Sequence, residues 1–343
     1  MRLAIPLLFA LIIASICLPN PAPYITQEGR PLNIAHRGLA SILPENTLEA
    51  FTAALYLGAD FIELDVVYTK EKYPLVMHDP FLTRITDIKS HDEFSTRYET
   101  RKYGSKDKRD WWTDDFTLNE LKTLRIKQDQ APGRISVFDF RLTFPTLDEV
   151  IEMVIQFNKQ HNGKRNPDGR LGGILIEAKD SQMYRNLYDL EIGATILETL
   201  RKHGIDSIDA AEKICPIYLH SFDYGTIKYW AANTELPINY LLSKGTSFDL
   251  EEVNKYATGI GFQDSIIYDY SKDAPTDVMA KTKALGMKVH VWTFKDDVLL
   301  FNSTNNIVHI ISCRKCMNVL KRSSSLTVLS PNSVISTLQL QQC

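Results

Sequence analysis

Nine short runs rich in β-branched and aromatic residues punctuate the chain, with helical patterns between them. This alternation constrains the fold more than any other feature, because strands and helices repeated in turn build βα units on a parallel sheet. The candidate strands are 33–37, 61–67, 75–77, 173–178, 216–219, 238–242, 259–262, 288–294 and 307–312. A closed TIM-type (β/α)8 barrel takes eight, so one run is spare, and Gly259–Phe262 is the expected odd one out. Helix starts are legible as well. Asn46 reads as an N-cap with Glu49 three residues on, and Leu48, Phe51 and Leu55 share the following face. Thr117 with Glu120, and Thr146 with Glu149, read as capping boxes.

Two intervals break the rhythm. Only 12 residues separate Asp65 from His78, too few for a helical crossover, so the chain is expected to run back there as extended backbone. From about 87 to 145 the sequence is polar and charge-rich around Lys106–Asp110, with aromatics at Trp111, Trp112, Phe116 and Phe138. It reads as an insertion after the third strand, lying over one mouth of the barrel.

The ends differ from the body. Arg2 followed by the apolar stretch Leu3–Leu18, then Pro19, Asn20 and Pro21, reads as a secretory signal over residues 1–22. The stretch is short for a bilayer span, so no stable membrane span is expected after cleavage. The mature protein is expected to be secreted or to lie in another secretory-pathway compartment, the periplasm if bacterial. Past the signal, Cys215, Cys313, Cys316 and Cys343 remain. They make no disulfide framework, and Cys313 with Cys316 suits a tail disulfide better than zinc. The 39 basic and 42 acidic residues give a net charge of −3, and the basic ones are scattered, so a nucleic-acid partner is not expected.

Five runs place ionisable residues at the carboxyl end of an apolar run, where barrel active sites lie. Ile34-Ala35-His36-Arg37-Gly38 ends in an imidazole, a guanidinium suited to phosphate, and a glycine that lets backbone approach a ligand. In Pro44-Glu45-Asn46-Thr47 the cap role explains Asn46, which leaves Glu45 as a supporting partner of the site. In Phe61-Ile62-Glu63-Leu64-Asp65-Val66, Glu63 and Asp65 point to one side of a strand with apolar flanks. Two buried carboxylates that close need a cation or a proton, and oxygen-only ligation favours a hard divalent ion. Leu75-Val76-Met77-His78-Asp79-Pro80 offers a second histidine for acid–base work with His36. Gly173-Ile174-Leu175-Ile176-Glu177-Ala178-Lys179 leads into a third carboxylate and an amine. Two weaker runs supply Phe222 and Trp292 as expected pocket walls, with His220 beside the first and His290 read as structural.

In this order the five runs resemble the glycerophosphodiester phosphodiesterase family, over about residues 31 to 300, and the insertion looks like that of its larger, periplasmic-type members. The resemblance implies a barrel of the phospholipase C-like phosphodiesterase kind over 31–312. It implies Glu63, Asp65 and Glu177 as ligands of one divalent cation, Ca2+ or Mg2+. His36 and His78 would be the acid–base pair, and Arg37 and Lys179 the phosphate clamps. The implied reaction is hydrolysis of a small glycerophosphodiester to sn-glycerol 3-phosphate and an alcohol, by attack of water or of the glycerol 2-hydroxyl. Three positions depart from the pattern. Ala178 replaces the usual Ile, and His220 stands where the family usually has Gln. Asn306–Cys313 replaces a closing strand reading roughly Asp-Gly-Ile-Ile-Thr-Asp-Phe-Pro, ahead of an atypical tail, 313–343. A sphingomyelinase D-like phospholipase, or an inactive binding protein on the same barrel, are the rival expectations.

Overall fold

The computed structural model describes residues 32–130, 134–161, 170–272, 274–293 and 326–330. Its strands β1 (Leu32–His36), β2 (Phe61–Tyr68), β3 (Gly173–Ala178), β4 (Ile217–Ser221), β5 (Ile238–Leu242), β6 (Gly259–Gln263), β7 (Lys288–Trp292) and β8 (Leu326–Ser330) pair in parallel, each with the next. β8 returns to pair with β1, so the ring is closed. Helices α1 (Leu48–Tyr56), α2 (Leu147–His161), α3 (Ile192–Lys202) and α4 (Tyr224–Asn233) pack outside it. The layer between is apolar: Ile62, Leu64 and Val66 of β2 and Ile174 and Ile176 of β3 join Phe51 and Leu55 of α1 and Val150 and Val154 of α2 in one buried cluster.

The other face of the strands positions the site. Side chains alternate along a strand, and a second, smaller cluster takes Leu32 and Ile34 from β1, Phe61 from β2, Leu175 from β3 and Tyr218 from β4. Two residues further on in the same phase stand His36, Glu63, Glu177 and His220. The inner face is therefore apolar at its amino end and ionisable at its carboxyl end. Register aligns the second set across the sheet: His36 opposite Glu63, Asp65 opposite Glu177, and Glu177 opposite His220.

Three expectations are corrected. The spare strand is not Gly259–Phe262, which sits in the ring, but the run after Asp65. Pro74–Val76 pairs antiparallel with the end of β2, because Thr69 and Tyr73 close a tight turn in which Thr69 N donates to Tyr73 O at 3.1 Å. His78 is thus carried back beside Asp65, and Met77 N donates to Asp65 O at 2.9 Å. The anticipated eighth strand, 307–312, lies outside the described residues, and the ring closes through Leu326–Ser330, inside the segment read as a tail. Its Leu-Thr-Val-Leu sequence has the β-branched content a strand needs. Finally, the cap of α1 is Thr47, whose side chain accepts from Ala50 N, and not Asn46. The expected leader 1–22, Cys313, Cys316 and Cys343 lie outside the described residues, among which no helix is long and apolar enough to cross a membrane.

The interval 87–145 is more ordered than its polarity suggests. It holds an antiparallel hairpin, Glu99–Tyr103 with Lys106–Asp110, and a short helix, Leu118–Thr123, started by the Thr117–Glu120 capping box. Trp111, Phe116, Leu121, Leu124, Ile126 and Phe144 are buried and continue the main core. The second anticipated box is also present, with Thr146 N donating to Glu149 at 2.7 Å and Glu149 N to Thr146 at 3.2 Å.

Gly38 serves packing against a helix. It has φ of +81°, and an added Cβ would lie 2.7 Å from the backbone carbon of Ala50 and 2.8 Å from its oxygen. What comes close to Gly38 is therefore α1 and not a ligand, as Leu39 N donating to Ala50 O at 2.9 Å confirms. Gly38→Ala combines left-handed strain with a backbone clash. It is expected to cost about 2–4 kcal/mol of stability in urea unfolding; a loss below about 0.5 kcal/mol, the range of an ordinary surface change, would contradict this account of the turn.

Candidate active site

At the carboxyl mouth of the ring is a cavity of about 350 Å3 whose lining includes His36, Arg37, Glu45, Glu63, His78, Glu177, Lys179, His220, Phe222 and Trp292. Residues from five sequence runs and two weaker ones therefore share one space. Asp65 lies beneath, fully buried, and reaches the same group through Arg37 and Lys179.

The carboxylates are crowded. Glu63, Glu177 and His220 each offer one ligand atom within 4.8 Å of the others. Burial and the nearby Asp65 push the Glu63 carboxyl up to about 8. Burial raises Glu177 as well, against the pull of Lys179. For Asp65 burial acts the same way, but Arg37 and Lys179 win and hold it well below the usual carboxylate range. Asp65 Oδ2 accepts from Asn46 Nδ2 at 2.9 Å, while its Oδ1 is buried with no hydrogen-bond partner. Asp65 is not in the tight group of ligand atoms with Glu63 and Glu177, and its free oxygen lies 3.8 Å from Lys179 Nζ.

The cations are each held by acids. Arg37 Nη1 donates to both oxygens of Glu45, at 3.1 and 3.2 Å, and Nε lies 3.3 Å from Asp65 Oδ2. Lys179 Nζ lies 2.8 Å from Glu177 Oε1 and 3.2 Å from His78 Nε2. Since that amine can only donate, His78 Nε2 accepts and its Nδ1–H donates to Asp79 Oδ1 at 2.6 Å. His36 Nε2 lies 3.9 Å from Glu63 Oε2, and burial, with Arg37 next to it, lowers its pKa well below the usual value. His220 is 2% exposed and is lowered to about 4 by burial.

Phe222 and Trp292 meet edge to face, with centroids 5.3 Å apart at 89°, and Trp292 Nε1 donates to Gly261 O at 3.0 Å. His290 is buried deeper, where its Nδ1 faces Asn239 Nδ2 at 3.5 Å, and does not line the cavity.

Several contributors are absent from the sequence reading. Asn46, released from capping by Thr47, adopts φ of +57° and hydrogen-bonds Asp65. Asparagine is among the few residues that tolerate that conformation, which was the available signal. Arg84 joins two motifs: its Nη2 donates to Glu45 Oε1 at 2.6 Å and its Nε to Asp79 Oδ2 at 2.5 Å. Burial opposes ionisation of Glu45, but Arg37 and Arg84 hold it far below the usual range. Asp129 and Arg134, from the insertion, also line the cavity. Nothing local in the sequence marks these three, since only the folded loops bring them there.

Comparison with known proteins agrees with this fold. The model of the Glycerophosphoryl diester phosphodiesterase family matches residues 36–316. GDPD6, a glycerophosphodiester phosphodiesterase of Arabidopsis thaliana, is 28% identical over 328 residues, 85% of this chain and 85% of that protein. A glycerophosphodiester phosphodiesterase of Haemophilus influenzae is 29% identical over 205 residues, 57% of this chain and 50% of that one. A phosphodiesterase of Oleispira antarctica, solved in complex with the product sn-glycerol-3-phosphate, superposes with a TM-score of 0.61 at 21% identity, over 92% of this chain and 98% of that chain.

The Arg84 bridge can be tested through stability. Arg84→Met removes charge-assisted hydrogen bonds to Glu45 and Asp79 and is expected to cost about 1.5–3 kcal/mol in urea denaturation. Arg84→Lys is expected to recover only part of it, because an ammonium lacks the planar fork that spans both carboxylates. Full recovery by lysine would show that charge alone matters at this position.

Proposed function

We propose that this chain, which belongs to the Glycerophosphoryl diester phosphodiesterase family, hydrolyses glycerophosphodiesters to sn-glycerol 3-phosphate and an alcohol. The observation that carries the proposal is the convergence of two imidazoles, a guanidinium and an amine on buried carboxylates within one cavity of about 350 Å3. That volume is at the small end of ligand pockets and suits a small polar diester. A protein that merely kept the barrel as a scaffold for binding would have no need for these groups to meet. The product bound by the Oleispira antarctica phosphodiesterase, sn-glycerol-3-phosphate, supports the same substrate class. Export through the secretory pathway, supported by the apolar leader, belongs to the same proposal.

The carboxylates fit a divalent cation. Glu63 sits where burial and its neighbour disfavour its charge, and Glu177 offers an oxygen within 4.8 Å of one of its own; a cation answers that crowding, and its charge also offsets the buried Asp65 Oδ1, which has no hydrogen-bond donor. Glu63 and Glu177 would hold it directly, with Asp65 outside the group of ligand atoms, and carboxylate oxygens by themselves suit Ca2+ or Mg2+. Such an ion supplies Lewis-acid polarisation of a phosphoryl oxygen.

The protein's own groups do the rest. Lys179 and Arg37 face the cavity with fixed charges that offset the negative charge gathering on the phosphoryl oxygens. Their acidic partners keep them oriented, so little reorganisation is needed at the moment of reaction. His78, with its Nδ1–H fixed on Asp79, presents Nε2 toward Lys179 and the cavity. His36 lines the same cavity. One imidazole takes the proton from the attacking hydroxyl, of water or of the glycerol 2-position, and the other gives a proton to the departing alkoxide. Phe222 and Trp292 form an apolar wall for the carbon skeleton.

His36→Ala and His78→Ala are each expected to lower kcat by roughly 10²–10⁴-fold while the protein still binds its divalent ion. The assay is release of glycerol 3-phosphate from glycerophosphocholine, and near-normal turnover in both variants would remove this mechanism. Dialysis against EDTA is expected to abolish that release and added divalent ion to restore it; activity indifferent to chelation would exclude the metal. Sphingomyelin offered in parallel is expected to remain intact, and its cleavage in place of glycerophosphocholine would favour a lipid-directed enzyme.

A further inference from the structure

His220 is out of keeping with the rest of the site. It is 2% exposed, and neither ring nitrogen has a hydrogen-bond partner. Buried imidazoles are normally hydrogen-bonded, because leaving a buried polar atom without a partner is costly. Its cross-strand neighbour offers no relief: Asn239 is opposite in register, but its amide nitrogen lies 3.5 Å from His290. His220 Nε2 lies 3.5 Å from Glu63 Oε1, and one ring nitrogen falls within 4.8 Å of an oxygen of each of Glu63 and Glu177. An imidazole with no donor or acceptor of its own, directed at two carboxylates that need a cation, has the position and the lone pair of a metal ligand.

We infer that His220 is a nitrogen donor to the ion of this site, which therefore takes a borderline divalent cation, Co2+ or Zn2+, in preference to Ca2+. The inference rests on the carboxylate ion site proposed above and deepens it. Replacing an oxygen donor with imidazole changes the selectivity, because imidazole suits the later first-row metals such as Zn2+ while carboxylate and carbonyl oxygen suit Ca2+, Mg2+ and Mn2+. Glutamine at this position would offer an amide oxygen and would leave the set all-oxygen.

The test uses the full chain, stripped of metal by a chelator. Binding of Mn2+, Zn2+ and Ca2+ is measured by equilibrium dialysis, and the Mn2+-loaded protein is examined by pulsed electron paramagnetic resonance. Wild type is expected to bind Zn2+ more tightly than Ca2+ and, with Mn2+ as the probe ion, to show nitrogen modulation, shifted to the 15N pattern when its histidines carry 15N. That spectrum requires no variant to fold. His220→Gln is expected to abolish the modulation and to weaken Zn2+ roughly 10–100-fold, at least the loss seen for outer-shell partners, with Ca2+ changed little. Ion binding without nitrogen modulation overturns the inference and leaves the carboxylate site standing, as does modulation that survives in His220→Gln. Failure of wild type to bind any of the three ions overturns the site itself and this inference with it.

Discussion

Acidic side chains on the inner face of a closed ring repel one another, and most of what surrounds them answers that repulsion. Glu63 and Glu177 bring ligand atoms within 4.8 Å, a separation at which two unit charges cost about 3.5 kcal/mol at an effective dielectric of 20. That exceeds the net worth of an ordinary hydrogen bond, about 1 kcal/mol, so hydrogen bonding alone does not stabilise the arrangement. Strand register forces it, because Glu63 is opposite Leu175, two residues before Glu177, so the two carboxylates are diagonal neighbours on one face of adjoining strands. Relief comes from charge: Arg37 beside Asp65, Lys179 between Glu177 and Asp65, and the divalent ion that the proposed function adds.

The same need shapes the backbone around β1. Arg37 and Asn46 both adopt positive φ, 58° and 57°, each at a cost of order 1–3 kcal/mol. Surrounding contacts hold them there. Arg37 N donates to the Glu63 carbonyl and, at 3.0 Å, to the Glu63 carboxylate, and Asn46 N donates to Arg37 O at 3.1 Å. The strained pair is therefore a clasp: it turns the Arg37 side chain toward Glu45 and Asp65 and the Asn46 amide toward Asp65. Gly38 lets the clasp close, because only a residue without Cβ can lie against Ala50 at the start of α1.

The parallel strands, the inner phase of Glu63 and Asp65 and the return of His78 without a helix were legible, because period-two patterning and chain length are local quantities. What escaped the sequence depended on competition or on closure. Asn46 and Thr47 are both good caps, and only the pull of Asp65 on the Asn46 amide decides that Thr47 takes the role. Gly38 is equally compatible with a ligand or a helix nearby, and packing alone separates them. Gly259–Phe262 looks spare in the sequence because it is a short run, whereas pairing with strands on both sides keeps it in the ring. The closing strand is expected where family-like sequence should stand, and ring geometry places it at Leu326–Ser330. Arg84 had no signal, since the carboxylates it hydrogen-bonds, Glu45 and Asp79, lie 39 and 5 residues away on different segments.

Arg84 also shows how the loops take part in the chemistry. It ties Asp79, the partner of His78, to Glu45, the partner of Arg37. One of the two proposed acid–base groups and one of the two phosphate-facing cations are thus fixed with respect to each other by a residue that need not touch substrate. Arg134 extends the same assembly from the insertion, 4.0 Å from both Glu45 and Asp129. The strand ends supply the groups proposed to meet ion and phosphate, and the connecting segments set their angles and build the outer wall. On a barrel of this kind, that division lets a fixed reaction centre persist while loops alter the space in front of it. Differences in leaving-group preference among related chains should therefore lie in the segments that carry Arg84, Asp129 and Arg134, and not in the ring.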